Sequence, residues 1–264
     1  MKRIIAHLSD IHFGDQHEPA LAGATDWLRE HAFDLIVVSG DLTRFGEVNE
    51  FEAAAEWLAA LTAPTLVTPG NHDAPYLAWA ERIAAPFRRY ERHIGPAPAQ
   101  GWRAGGVAAR GVNTARGAQP RLNWSKGQIA GRQAKEAARW FQPDDLVRIV
   151  VAHHPLIEML GGPMTARVWG GERAARRFAD GEVDLVLSGH VHAPFARPYP
   201  FGDERTYAVG AGTLSVRERG APPGFNVIEV DDAVFRVTAL GWTGSHMEPW
   251  RTWALDRRPR SSPG

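Results

Sequence analysis

Five times along this 264-residue chain, an apolar run of strand length breaks off into small or polar residues that include an Asp, an Asn or a His. Ile4 to Leu8 runs into Ser9-Asp10-Ile11-His12, Leu35 to Val38 into Ser39-Gly40-Asp41, and Thr65-Leu66-Val67 into Gly70-Asn71-His72-Asp73. Val147 to Ala152 runs into His153-His154-Pro155, and Val183 to Leu187 into Ser188-Gly189-His190-Val191-His192. Short apolar runs bounded by turn residues are what strands buried on both faces look like. Helical spacing fills the gaps between the first three. Pro19 suits the first turn of a helix carrying Leu21, Ala24, Trp27, Leu28 and His31, and Val48, Phe51, Ala55, Leu58 and Leu61 recur on one face before Pro64. A strand-helix-strand rhythm predicts a largely parallel α/β fold, whose ligand crevice lies outside the carboxyl ends of the strands. The five polar ends are therefore expected to converge on one site.

Composition narrows what that site can be. The chain has no cysteine, so any metal there must be held by nitrogen and oxygen ligands. Thirty basic residues balance thirty acidic ones, which gives no net field to hold a polyanion, so no stable nucleic acid partner is expected and a small phosphorylated substrate is. Hydrophobic residues make up 44% of the chain, enough for a proper core. No run approaches a membrane span, and the N-terminal apolar run is too short for a signal peptide, so the expected location is cytoplasmic.

Elsewhere the pattern is less specific. Ala78 to His93 reads as a helix with Trp79, Ile83, Phe87 and Tyr90 as its buried stripe and Arg82, Arg88, Arg89 and Arg92 solvated. Gly95 to Gly106 reads as a loop anchored by Trp102, Val107 to Asn113 as a strand, and Gln128 to Phe141 as a helix ended by Pro143. From Thr206 onward the pattern is β, in Tyr207-Ala208-Val209, Phe225 to Val230 and Val234 to Leu240. Trp242 to Trp253 is expected to pack on the core or on a second subunit, with a homodimer as the expected assembly. No repeat or linker interrupts the chain, which reads as a single domain over 1–255 with a flexible tail over 256–264.

The ordered set Asp10-x-His12, Gly40-Asp41, Gly70-Asn71-His72-Asp73, His153 and Gly189-His190-x-His192 resembles the signature of the calcineurin-like metallophosphoesterase superfamily, over nearly the whole chain. Each piece alone is weak; five in order, each after a strand-like run, are specific. The resemblance implies a four-layer α-β-β-α sandwich of two mixed sheets, with a dinuclear site at the carboxyl ends of the strands. It also implies a division of labour. Asp10, His12 and His192 would hold one metal, Asn71, His153 and His190 the other, and Asp41 would bridge them. Two cations about 3.5–4 Å apart need a shared carboxylate to offset their repulsion, and imidazoles suit Mn, Fe, Zn or Co in divalent or mixed-valence pairs. Such a pair would turn a bridging water into the hydroxide that attacks phosphorus, with His72 assisting the leaving group. Behind the ligands, Asp73 would orient a neighbouring imidazole, and His154 would hydrogen-bond or pack. His7, His17, His31, His93 and His246 read as ordinary histidines.

Within the superfamily, no tyrosine accompanies the Asp10-x-His12 opening, unlike the purple acid phosphatases. The compact length, together with Gly212 to Gly220 followed by Gly224-Phe225-Asn226-Val227-Ile228, resembles the bacterial class III cyclic nucleotide phosphodiesterases and the related glycerophosphodiesterases. Hydrolysis of a small phosphodiester is the leading expectation. A phosphomonoesterase or a nucleotide-lipid pyrophosphohydrolase on the same centre is the nearest alternative, ahead of a nuclease or a non-catalytic scaffold. The pocket walls would come from variable loops, with Arg44, Phe45, Pro75, Tyr76 and Met159 to Gly171, including Arg167 and Trp169, as candidates.

Overall fold

The apolar runs become strands and their polar ends leave the sheets on one side. A computed structural model describes residues 2–97, 100–121, 123–158 and 168–260. Strands β1 (Arg3–Leu8), β2 (Leu35–Val38) and β3 (Thr65–Val67) pair in parallel, linked by helices α1 (Glu18–Glu30) and α2 (Val48–Ala59). Local chemistry sets the helix starts. Nδ1 of His17 accepts the Ala20 amide at 3.2 Å ahead of α1, and the Glu50 carboxylate accepts the Glu47 amide at 3.1 Å ahead of α2.

Strands β10 (Gly224–Val230), β11 (Val234–Trp242) and β12 (Met247–Asp256) add to β1 as an antiparallel meander, giving a six-stranded sheet in the order β12-β11-β10-β1-β2-β3. The second sheet holds β4 (Gly101–Ala104), β5 (Val107–Gly111), β6 (Val147–Val151), β7 (Leu185–Ser188), β8 (Phe195–Pro198) and β9 (Tyr207–Gly210). Its order is β4-β5-β6-β7-β9-β8, with β5, β6, β7 and β9 parallel. Helices α5 (Gly131–Trp140) and α6 (Gly171–Asp180) belong to this half, while the short helices α3 (Trp79–Ala84) and α4 (Arg88–His93) lie between the two halves of the sequence.

Strand pleat assigns the layers, because successive side chains point to opposite faces. Ile5, Leu35, Val37 and Leu66 pack between the sheets against Ile149, Val151 and Leu187, all buried. Their neighbours Ala6, Leu8, Ile36 and Val38 point the other way, into a core with Leu21, Ala24 and Leu28 of α1 and Phe51 of α2. On the far side of the second sheet, Val150 and Val186 pack with Ala134 and Ala137 of α5 and Ala174 and Phe178 of α6. The result is the expected α-β-β-α sandwich of two mixed sheets.

Three expectations need correction. Ala78 to His93 is two short helices, and its buried stripe was misassigned: Trp79 and Ile83 are each 61% exposed, whereas Arg82 is buried. Arg82 can be buried because its guanidinium is hydrogen-bonded, donating to the carbonyls of Ala74, Pro75 and Gly117. Gly101–Ala104 is a strand, paired antiparallel with β5, and the segment around Trp250 is the edge strand β12. The stretch expected to fray is held as far as Arg260. Arg258 pairs with Asp203 at 2.7 Å and Asp184 at 3.2 Å, and Arg260 also reaches Asp184. Residues 261–264 lie outside the described part of the chain, as do 159–167, where Arg167 had been a candidate for the pocket wall.

Candidate metal centre

The strand ends of both sheets meet. Asp10 and His12 follow β1, Asp41 follows β2, Asn71 follows β3, His153 follows β6, and His190 and His192 follow β7. Seven non-glycine residues among those described have positive φ, and five of them are Asp10, His12, Asp41, His190 and His192. This left-handed backbone is costly for residues with a Cβ and persists where the surroundings enforce it, which is typical of functional sites. Two glycines allow the turns to approach so closely. A Cβ on Gly70 would sit 2.1 Å from Oδ1 of Asp41, and one on Gly189 would sit 1.8 Å from Oγ of Ser9 and 2.2 Å from Oδ2 of Asp10.

All seven expected ligands are buried. Nε2 of His192 is 3.1 Å from Oδ1 of Asp10, and Nε2 of His12 is 3.8 Å from that same oxygen. Oδ2 of Asp41 faces both groups, at 3.8 Å from Nε2 of His12 and 3.3 Å from Nε2 of His153. His190 packs on His153 with ring centroids 5.2 Å apart.

Backbone carbonyls fix the imidazoles. Nδ1 of His12 donates to Thr43 O at 3.1 Å, Nδ1 of His153 to Ser39 O at 2.9 Å, and Nδ1 of His192 to Arg217 O at 2.7 Å. Each ring therefore turns an Nε2 lone pair inward, the usual arrangement of a metal-binding histidine. Buried Asn71 Oδ1 has no hydrogen-bond partner, and Asp10 Oδ1 and His153 Nε2 face only other ligand-type atoms, Nε2 of His192 and Oδ2 of Asp41, an expensive state that a bound cation would relieve. The donor set thus fits transition-metal ions.

Electrostatics agree. Burial opposes the charge on Asp41, but the imidazoles of His153, His72 and His12 hold its carboxyl well below the usual carboxylate range. Burial pushes His12 and His190 down to about 3, keeping both rings neutral and able to ligate. His153 goes the other way: burial lowers it, but Asp41 prevails and raises it to about 9, so a proton competes with a metal for its Nε2.

His154 lies close to His153 and His190 but is no ligand, since both its nitrogens are used. Its Nε2 donates to Ser125 O at 2.7 Å and its Nδ1 accepts from the Thr114 hydroxyl at 2.9 Å. Asp73 does not bond an imidazole as expected. It accepts from the amides of Gly70 at 2.8 Å and Thr43 at 2.9 Å and from the Thr43 hydroxyl at 2.9 Å. It therefore ties the Asp41 loop to the Asn71 loop, and acts on His12 one peptide removed, through the Thr43 carbonyl. Burial and the nearby Asp41 raise its carboxyl to about 6.

His72 borders the cluster, its ring centroid 4.8 Å from that of His12 and its Nδ1 2.6 Å from Arg44 O. With Asn71 it lines a cleft of about 1030 Å³ whose walls include Tyr76, Trp79 and Trp124. The Trp79 and Trp124 rings meet edge to face at 5.5 Å. The guanidinium of Arg44 faces Asp15 at 3.6 Å and lies over Phe45. Trp169 lines a neighbouring concavity with Arg176 and Phe201, separated from the cleft by Arg121, which stacks on its ring. Gln119 to Arg121 and Asn123 to Ser125 were not foreseen as a wall; an isolated Trp124 in a stretch with Gly, Pro and Asn was the available signal.

The sequence model of the family described as calcineurin-like phosphoesterase matches residues 4–194. A probable cyclic nucleotide phosphodiesterase of Synechococcus is 26% identical over 211 residues, which cover 72% of this chain and 74% of that protein. A glycerophosphodiester phosphodiesterase, GpdQ of Enterobacter lignolyticus, is 39% identical over 82 residues, covering 26% of this chain and only 29% of its own length. Among solved structures, a purple acid phosphatase from yellow lupin seeds superimposes with a TM-score of 0.66 at 13% identity, covering 97% of this chain and 54% of that one, a likeness of fold alone. With most of its length matched and the aspartate, asparagine and histidine residues of the signature gathered at the strand ends, the chain belongs to the calcineurin-like phosphoesterase family.

Proposed function

We propose that this protein hydrolyses small phosphodiesters, of the 3',5'-cyclic nucleotide or glycerophosphodiester type, at a dinuclear metal centre. The observation that carries the reading is Asp41, one oxygen of which faces an inward-turned histidine of each group, while the buried Oδ1 of Asn71 has no hydrogen-bond partner. Asp10, His12 and His192 would hold one ion and Asn71, His153 and His190 the other, with Asp41 shared. Mn, Fe, Zn and Co all suit these ligands. When bound, such a pair acidifies water to a nucleophile near neutral pH and neutralises phosphoryl oxygens.

The chain's own residues supply the rest. Thr43, Ser39 and Arg217 lock the ligand rings through their carbonyls, so little reorganisation is needed when ligand arrives. The Arg44 carbonyl holds Nδ1 of His72, a residue of the cleft wall. As water oxygen bonds to phosphorus and the ester P–O bond breaks, His72 gives the departing alkoxide a proton. Tyr76, Trp79 and Trp124 offer flat apolar surface to the alcohol portion. The names of the Synechococcus and Enterobacter relatives support a diester substrate. A homodimer through the exposed face of β12, where Trp250 is 43% exposed, belongs to the same reading and is checked by sedimentation.

The test compares initial rates on bis-p-nitrophenyl phosphate and p-nitrophenyl phosphate, with chelated protein before and after Mn²⁺ is restored. A diester preference that needs the metal is expected. A monoester preference would replace the reading with a phosphatase, and no activity with any divalent ion would remove catalysis.

A further inference from the structure

Arg217 touches both sides of the centre. Its carbonyl accepts the hydrogen bond from Nδ1 of His192 at 2.7 Å, and its guanidinium Nη1 lies 3.4 Å from Nε2 of His72. The loop that carries it is anchored to the first ligand loop. The Thr213 hydroxyl donates to Asp10 O at 2.6 Å, and the Val216 amide donates to Asp15 O at 3.1 Å. The side chain is anchored too, since Nε donates to Oδ2 of Asp15 at 2.8 Å. Asp15 also faces Arg44 at 3.6 Å, so two guanidinium groups share one carboxylate and a positive charge remains beside the cleft.

The hydrogen bonding of His72 gives that charge its use. Nδ1 donates to the Arg44 carbonyl at 2.6 Å, which fixes the ring with Nε2 turned to Arg217. The guanidinium of Arg217 and Nε2 of His72 therefore stand side by side, where both can meet one oxygen of a bound ester. A guanidinium stays charged throughout the working pH range and presents forked donors suited to phosphate. Its side chain is 26% exposed and held by a fixed loop, so it can meet a ligand without rearrangement of the backbone.

We infer that Arg217 is a further catalytic residue, its Nη1 binding an oxygen of the phosphate ester at the point where it now meets His72. The inference rests on the phosphoesterase reading above. The backbone and side chain of this residue do separable jobs: the carbonyl orients His192, and the guanidinium binds substrate. A charge-assisted hydrogen bond of this kind corresponds to about 10- to 100-fold in rate or affinity.

The experiment uses Arg217→Ala and Arg217→Lys, chelated and restored with Mn²⁺. It measures metal content, kcat/KM on bis-p-nitrophenyl phosphate and competitive inhibition by inorganic phosphate. The alanine variant should keep the wild-type metal content, because the carbonyl on His192 survives. It should lose about 10- to 100-fold in kcat/KM and a similar factor in phosphate inhibition, with partial recovery on added guanidinium and in the lysine variant. Rates and phosphate inhibition within about twofold of wild type would overturn the assignment, and so would a loss of activity that merely follows lost metal. Wild-type protein inactive on every phosphoester tested would instead overturn the reading beneath it.

Discussion

The metal cradle and the cleft wall lie side by side and are built on opposite principles. Cradle residues stand in tight turns at strand ends, buried, with their rings tied to backbone carbonyls and left-handed φ at five positions. The wall residues Tyr76 and Trp79 stand on a loop and a six-residue helix, 51% and 61% exposed, and touch mainly other aromatic rings. The cradle is over-determined by its surroundings and the wall is not. In a fold of this kind the bond-breaking chemistry is fixed by the sheets, whereas substrate choice rests on segments that can change at little cost to stability.

That contrast can be broken by substitution. Asp41→Ala should have the largest effect, since it removes the shared carboxylate and leaves buried imidazoles facing cations without it. Metal content should collapse and kcat/KM fall by well over about 100-fold, as read by elemental analysis and steady-state rates. A variant that keeps both metals would refute the bridging role. Next comes Gly189→Ala, whose Cβ would collide with Ser9 and Asp10. It should cost about 1–3 kcal/mol of stability in urea unfolding as well as metal affinity, although it adds only a methyl group.

Acid should act on the metal-free cradle in a set direction. His7, His12 and His190 are buried and neutral, each pushed down to about 3, mainly by burial, so the unfolded chain binds more protons than the folded one below about pH 6.5. Their stabilising contribution is present above that pH and is lost as pH falls toward 3, by at most about 1.4 kcal/mol per group per pH unit. Asp73, raised to about 6, works the other way between about 4 and 6 and offsets one of them. The urea midpoint should therefore fall between pH 7 and pH 5, and a flat profile would contradict the neutral buried rings. Least disruptive is Trp79→Ala or Trp124→Ala. Metal content and unfolding midpoint should stay near wild type, while kcat/KM on aryl diesters falls by about 3- to 10-fold.

The same contrast explains what could be read from the sequence. Strands β1, β2, β3, β6 and β7 were legible because they are buried on both faces and end in residue types with few structural uses at such places, and the cradle followed from their ends. The helix over Ala78 to His93 was misread because periodicity treats arginine as a surface residue. Arg82 is instead buried against three carbonyl acceptors, Ala74 and Pro75 just upstream and Gly117 from a later loop, and the face shared by Trp79 and Ile83 is turned outward. The strand Gly101–Ala104 was hidden by its glycine and alanine, since it is an exposed edge strand whose existence depends on pairing with β5. Asp73 and Arg217 were invisible as connectors because their work is done on backbone atoms and on residues up to 202 positions away.

The central claim, a two-ion centre sharing Asp41, is most directly tested by titrating chelated protein with Mn²⁺ while following both bound metal and bis-p-nitrophenyl phosphate hydrolysis. The account expects no turnover without metal and full activity only when the second equivalent is bound. Full activity at one equivalent, or turnover undiminished by chelation, would contradict it.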